Sequence, residues 1–191
     1  MTTTLTGRLG LLTAFVFTAA LLVFAALDPA YSHATKAVSE LGAVGAPNQL
    51  AWNLIGFIGV GLALAMFGRG LGKAIGDPWT GGLVALFGLA FAATAIPADM
   101  NDLGSPGSVA HIVASQAVLL FWALTLIRLL FVRRAGAALR WIAAAGLALA
   151  VGAVVVRGLE VLPPGFSQRL SFAVVFGWVA ATSLALLRRA P

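Results

Sequence analysis

The chain has no cysteine among its 191 residues, a single tyrosine, two histidines and only six acidic side chains. Without cysteine there can be no disulfide, no thiolate metal ligand and no cysteine nucleophile, and the redox compartment leaves no mark. Charged residues occupy 9% of positions, against roughly a quarter in a soluble domain. So small a charged fraction excludes an ordinary water-facing surface. Twelve basic residues and a formal net charge of +6 would point to nucleic acid in a soluble protein. No basic run here carries the interleaved aromatics of a single-strand binder, so nucleic acid is excluded as a partner.

What the chain has instead is apolar length. Hydrophobic residues make up 61% of it, and a membrane-spanning helix needs about 20 mainly apolar residues. Six segments qualify: Leu9–Leu27, Gln49–Phe67, Thr80–Ile96, Val109–Val132, Leu139–Val156 and Phe166–Leu187. The first exceeds the ~7–15 residues of a secretory h-region and is preceded only by Arg8, so it is read as a retained span. Asp28-Pro29, Gly68-Arg69-Gly70 and Pro97 are expected to close the first three, and Asn48 and Ser108 to cap the second and fourth. The predicted fold is an all-α, six-helix polytopic membrane bundle forming one domain over residues 1–191.

The few charges are sorted between the two ends of these spans. One set of ends carries nine of the twelve basic residues: Arg8, Arg69, Lys73, Arg128, Arg133, Arg134, Arg140, Arg188 and Arg189. The other carries five of the six acids (Asp28, Glu40, Asp99, Asp102, Glu160) and both histidines, His33 and His111, with Lys36, Arg157 and Arg169 as its basic residues. The positive-inside rule assigns the basic ends to the cytoplasm, and an even span count then puts both termini there. Trp79 and Trp141 fall at the inner interface and Trp52 near the outer one. Glycines in the second span (Gly56, Gly59, Gly61), the third (Gly81, Gly82, Gly88) and the fifth (Gly146, Gly152) permit close helix approach. Packing within the bundle is the simpler reading; a partner membrane protein or homo-oligomer on these faces is the alternative.

Three outward stretches hold nearly all the acid–base chemistry. In the first, Ser32 can cap a short interfacial helix ended by Gly42, with Lys36 and Glu40 four residues apart as a solvated pair. The second runs from Pro97 through Asp99 and Asp102 to His111, with Ser115 and Gln116 deeper on the fourth span. Polar side chains at that depth must face the bundle interior or water, because lipid cannot satisfy them, and Asn53 obeys the same rule. They form either an outward-opening ligand pocket or a hydrogen-bond network pinning helices together. The third stretch offers Arg157 and Arg169, which can clamp a phosphate or carboxylate or neutralise Asp99, Asp102 or Glu160.

These residues also admit catalytic readings. His33, His111 and Asp99 are of the right type for zinc, which takes about four ligands, but no clustered ligand pair lies on one helix. Ser39 or Ser115 could act as a nucleophile beside His111 with Asp99 as orienter, although no Gly-x-Ser-x-Gly elbow exists. Axial haem ligation would require His33 and His111 to face each other across the iron.

His33 followed by Ser39-Glu40-Leu41-Gly42, then Pro47, Asn53 and Gly56-Phe57, Pro97 and Asp99 ahead of His111, and Gly165 before Gln168-Arg169 carry a resemblance. In these residues the chain resembles a bacterial membrane family described as domain of unknown function 998. The resemblance covers most of the chain and implies a six-span bundle in a bacterial inner membrane, with no established activity. More distantly it is similar to DRAM-like membrane proteins and to alkaline-ceramidase-like hydrolases. The latter use a serine, an aspartate and three histidines around zinc; no histidine follows His111 here, so two of those ligands have no counterpart. The expectation is an outward pocket for a lipid head group or small polar ligand, formed by Glu40, Asn53, Asp99, Asp102, His111, Ser115, Gln116, Arg157 and Arg169. The alternatives are a zinc-dependent membrane lipid hydrolase and a non-catalytic accessory subunit.

Overall fold

Hydrocarbon offers no partner to a backbone N–H or C=O, so apolar segments of this length can satisfy themselves only as helices. The computed structural model describes residues 1–189. It contains six helices: α1 (Thr3–Ala26), α2 (Gln49–Ile75), α3 (Pro78–Ala93), α4 (Pro106–Phe131), α5 (Gly136–Gly158) and α6 (Pro164–Leu187). Five are long and apolar enough to cross a membrane, and α3 is a shorter apolar helix of 16 residues, about 24 Å at 1.5 Å per residue. A tight turn through Thr94–Ile96 continues it. The protein is a multi-pass helical membrane bundle.

Each helix packs on the next, and α6 returns to α1, so the six close into a ring. Its centre toward the polar end is aromatic: Phe17 of α1 stacks on Phe176 of α6 at 4.1 Å and meets the edge of Phe91 of α3 at 5.7 Å. Toward the basic end the core is mainly aliphatic, with Leu64, Leu71, Leu126, Leu129 and Leu139 fully buried beside Phe67. The outside is apolar too, with Phe15, Leu22, Leu50 and Val154 each more than half exposed, as lipid-facing positions require. Buried Thr6, Thr13, Thr125 and Ser183 donate their hydroxyls to the carbonyl four residues back.

The closest approach is between α2 and α3. A Cβ at Gly88 would lie 2.4 Å from the Ala65 nitrogen and 2.5 Å from the Gly61 carbonyl oxygen, and one at Gly72 would lie 2.8 Å from the Gly81 Cα. This corrects one expectation. Gly68-Arg69-Gly70 does not close α2, which continues to Ile75, because Gly68, Gly70 and Gly72 seat the helix against its neighbours. It ends at Gly76, whose φ of 65° is the left-handed cap that favours glycine. Gly82 and Gly152 face open space. Within α2, Asn53–Gly59 forms a π-helical segment.

Two caps also differ from expectation. Ser105, not Ser108, caps α4: its Oγ accepts from the Ser108 nitrogen at 3.3 Å, while the Ser108 hydroxyl donates to the carbonyl of Asp102 at 2.9 Å. Asn48 occupies the cap position of α2 without a side-chain cap bond. The predicted helix from Ser32 to Gly42 is reduced to a 3-10 turn over Val38–Gly42. There Glu40 turns back to accept from the Ala37 nitrogen at 2.7 Å instead of reaching Lys36.

Asp77, the one acid at the basic end, ties α3 to α4. Its carboxylate accepts from the Thr80 nitrogen at 3.0 Å as the cap of α3, and receives Nε and Nη2 of Arg128 at 2.8 and 2.7 Å. The Arg128 hydrogen bonds, with those from Thr80, hold this carboxyl well below its ordinary value of 3.8.

Gly88→Ala should lower the thermal stability of the detergent-solubilised protein by about 1–3 kcal/mol, the usual cost of overpacking, whereas Gly82→Ala should leave it within about 0.5 kcal/mol. Asp77→Ala, which loses cap and ion pair together, should cost about 1–2 kcal/mol, and Arg128→Ala less than about 1, because that side chain is 39% exposed. Since the folded-state value of Asp77 is depressed, its contribution is complete above pH 3.8 and fades as the pH falls below it; unfolding midpoints between pH 7 and 3 measure this.

Candidate functional site

Two residues one turn into α6 fold the first long loop over the polar end. Pro164 starts the helix, where a missing N–H costs nothing. The Gly165 nitrogen then donates to the Ala34 carbonyl at 2.9 Å, and a Cβ at Gly165 would lie 2.6 Å from the His33 carbonyl oxygen, so the loop can rest there only on glycine. Arg169 spreads its guanidinium beneath the loop. Nη1 donates to the carbonyls of Lys36 (2.9 Å) and Gly165 (2.8 Å), Nε to Nδ1 of His33 (2.9 Å), and Nη2 to the hydroxyl of Tyr31. The Tyr31 hydroxyl donates onward to the Ala37 carbonyl at 3.0 Å, and Gln168 Oε1 accepts from the Val38 nitrogen at 2.7 Å.

The charge states follow from this geometry. His33 accepts a hydrogen bond on Nδ1, so the neutral imidazole carries its proton on Nε2. Burial, with the positive Arg169 beside it, pushes His33 below its ordinary 6.5. Burial raises Tyr31 above its ordinary 10, against the pull of Arg169.

The second loop is fastened to the first through the Val44 nitrogen and the Ala98 carbonyl at 2.9 Å. His111, buried on α4, places Nδ1 3.0 Å from the Ile96 carbonyl at the end of α3 and its ring 6.4 Å from that of Phe57. A carbonyl can only accept, so Nδ1 carries the proton and Nε2 is the free acceptor of the neutral ring. Buried Asn53 donates to the Gly42 carbonyl at 3.0 Å, while its Oδ1 has no partner among the described residues. Asp99 and Asp102 close their own turns, accepting from the nitrogens of Asn101 (2.9 Å) and Gly104 (3.0 Å).

Beneath the first loop lies a cavity of about 190 Å³ between α4 and α6. Its polar lining is Ser39 from the loop, His111, Ser115 and Gln116 from α4, Gln168 and Ser171 from α6, Thr94 after α3, and Arg157 from α5. Phe57, Phe91 and Phe172 are among its apolar walls. The lining includes one cation and no carboxylate.

Of the residues singled out in the sequence, Ser39, His111, Ser115, Gln116 and Arg157 meet at this cavity. Glu40, Asn53, Asp99, Asp102, His33 and Arg169 do not line it; they hold the loops above. The catalytic set of Ser39, His111 and Asp99 is divided accordingly, since the Ile96 carbonyl, not Asp99, orients His111. The zinc set of His33, His111 and Asp99 is not assembled, and no group of three or more histidines and carboxylates could hold a metal among the described residues. The two histidines are engaged separately, by Arg169 and by the Ile96 carbonyl, so they are not paired for haem. Nor does Arg157 or Arg169 pair with Asp99, Asp102 or Glu160; the one ion pair among the described residues is Arg128–Asp77.

The sequence reading missed Thr94, Ser171 and the aromatic walls. Ser171, Phe172 and Val175 follow Gln168 at helical spacing, so extending the third stretch by two turns down α6 would have found them. Tyr31 was passed over because its partner is 138 residues away.

Because the folded-state value of His33 is depressed, the stability it gives the loop is complete above pH 6.5 and is lost as the pH falls through the lowered value. Hydrogen exchange over residues 31–42, corrected for intrinsic rates, should therefore rise between pH 7.5 and pH 5. In Arg169→Ala it should be raised roughly tenfold or more at both pH values, the loss of more than about 1.4 kcal/mol of local stability.

No curated protein and no solved structure matches the chain. A family model described as "Protein of unknown function (DUF998)" matches residues 11–185, through all six helices, and the chain belongs to that family.

Proposed function

We propose that the cavity beneath the first loop binds a small anionic group, the head group of a membrane lipid or a small polar solute, and that the protein lies in a bacterial inner membrane with its basic end and both termini in the cytoplasm. The observation that carries this reading is the lining: one guanidinium, no carboxylate and several neutral hydrogen-bonding groups, set over an aromatic floor. A phosphate or carboxylate would meet Arg157 and the amides of Gln116 and Gln168, while Phe57, Phe91 and Phe172 accept apolar substituents below. Arg169 supports the site from outside, since it directs donors to His33, Lys36 and Tyr31 of the loop that carries Ser39. The orientation rests on the sorting of arginines and lysines between the two ends.

A second reading, hydrolysis of an ester, draws on one observation: Ser39 and His111 line the same cavity, and the Nδ1 of His111 is held on a carbonyl so that Nε2 is left as a base. A fluorophosphonate that labels the protein at Ser39, and fails to label His111→Ala, would establish it; absence of labelling would remove it.

For the binding reading, thermal unfolding of the purified protein is followed against glycerol 1-phosphate, phosphoethanolamine and acetate. At least one of these should raise the midpoint in a saturable way, and Arg157→Ala should weaken its apparent affinity about tenfold. No shift with any of these anions in the wild type, or an equal shift in Arg157→Ala, overturns it.

A further inference from the structure

At the opposite, arginine-rich end a second concavity opens between α3 and α4. It is a groove of about 680 Å³ with Leu83, Leu124, Ile127 and Phe131 on its walls and Arg133 and Arg134 at its mouth, a volume within the ~300–1,000 Å³ range of small-molecule sites. Asp77 and Arg128 also border it, but their bidentate pair cancels both charges. The two remaining arginines follow the end of α4 in a 3-10 turn over Arg133–Ala135, and both are exposed. Arg134 lies along the groove rather than away from it, since a Cβ at Gly76 would sit 3.8 Å from its Cδ.

The surrounding residues set the depth of this feature. Trp79 and Trp141 are 73% and 75% exposed at this end, and exposed indoles belong at the head-group level of a bilayer. The groove is therefore apolar on the hydrocarbon side, cationic at the mouth and without an unpaired acid. Phe131, 77% exposed, is left bare along its wall. An aqueous anion would have no use for these walls, and a neutral lipid would have none for the two guanidiniums.

We propose that this groove holds one anionic phospholipid, its phosphate between Arg133 and Arg134 and an acyl chain along Leu83, Leu124, Ile127 and Phe131. A guanidinium fork matches phosphate oxygens in geometry as well as charge, and paired arginines beside a helix end act most strongly on lipids with net negative charge. The site is separate from the cavity under the first loop and stands whether or not that cavity binds a ligand.

Native mass spectrometry of the full chain in mild detergent tests it, with dioleoylphosphatidylglycerol titrated beside dioleoylphosphatidylcholine. The first phosphatidylglycerol should bind saturably and more tightly than phosphatidylcholine. The double variant Arg133→Ala/Arg134→Ala should weaken it roughly 10- to 30-fold. Arg69→Ala, which removes an exposed charge at the same end outside the groove, should change it less than about twofold. Phe131→Ser should weaken lipid binding without lowering the unfolding midpoint, and the loss caused by Arg133→Ala/Arg134→Ala should be equally large in an Arg157→Ala background, which separates this site from the cavity. Equal binding of the two lipids, an Arg69→Ala effect as large as that of the double variant, or competition by free glycerol 1-phosphate as strong as by intact lipid would each overturn the proposal.

Discussion

Lipid supplies neither donors nor acceptors, and that constraint decides where every polar group in this chain can go. Backbone groups are consumed within helices, and the buried hydroxyls of Thr6, Thr13, Thr125 and Ser183 return to the carbonyl one turn back. Apart from Thr182 Oγ1 and the indole nitrogens of Trp52, Trp122 and Trp178, buried without a partner among the described residues, most of the rest collects at the two ends. With neither face of a helix obliged to be polar, what holds the helices in a ring is close contact: glycine against backbone where α2 meets α3, and stacked aromatics where α1, α3 and α6 converge. The ring is tightest along α2–α3, whereas α4 and α6 stand apart across the cavity at the polar end.

The two arginines at that end are used differently. Arg169 distributes its donors over two carbonyls, a histidine and a phenol, and by doing so converts an irregular loop into a cover. Arg157 contributes a guanidinium to the cavity under that cover. A half-buried cation whose donors are mostly taken by neutral acceptors organises structure, while one without a carboxylate beside it keeps its field for a ligand.

The spans were legible because apolar runs of about 20 residues have few other fates, and the family because His33, Ser39-Glu40-Leu41-Gly42 and Gln168-Arg169 stand in recognisable order. Local signals failed where tertiary contact overrode them. Gly68 and Gly70 read as a helix end by their intrinsic propensity, yet in a membrane their lack of a side chain is what lets α2 continue against its neighbours. Ser105 and Ser108 flank the same proline and look equally able to cap; only the position of the preceding turn distinguishes them. The role of Arg169 was hidden for a different reason. Two of its partners are carbonyls, which every residue has, so no sequence pattern could announce them. Asn53, Asp99 and His111 were grouped correctly by end but not by neighbour, because each is held by the backbone of a different segment.

The π-helical segment of α2 joins two demands that a regular helix could not meet together. Above it, Asn53 must point at Gly42 to anchor the first loop; below it, Gly61 must face Gly88 to admit α3. Each residue of an α-helix turns about 100°, so the wider winding of Asn53–Gly59 changes the angular offset between those two positions. Restoring regular winding there without removing a residue would rotate one face or the other out of register. The segment thus acts as a phase adjuster between the loop-bearing and the packing halves of one helix, and the length of the chain between Asn53 and Gly61 is as constrained as the identity of either residue.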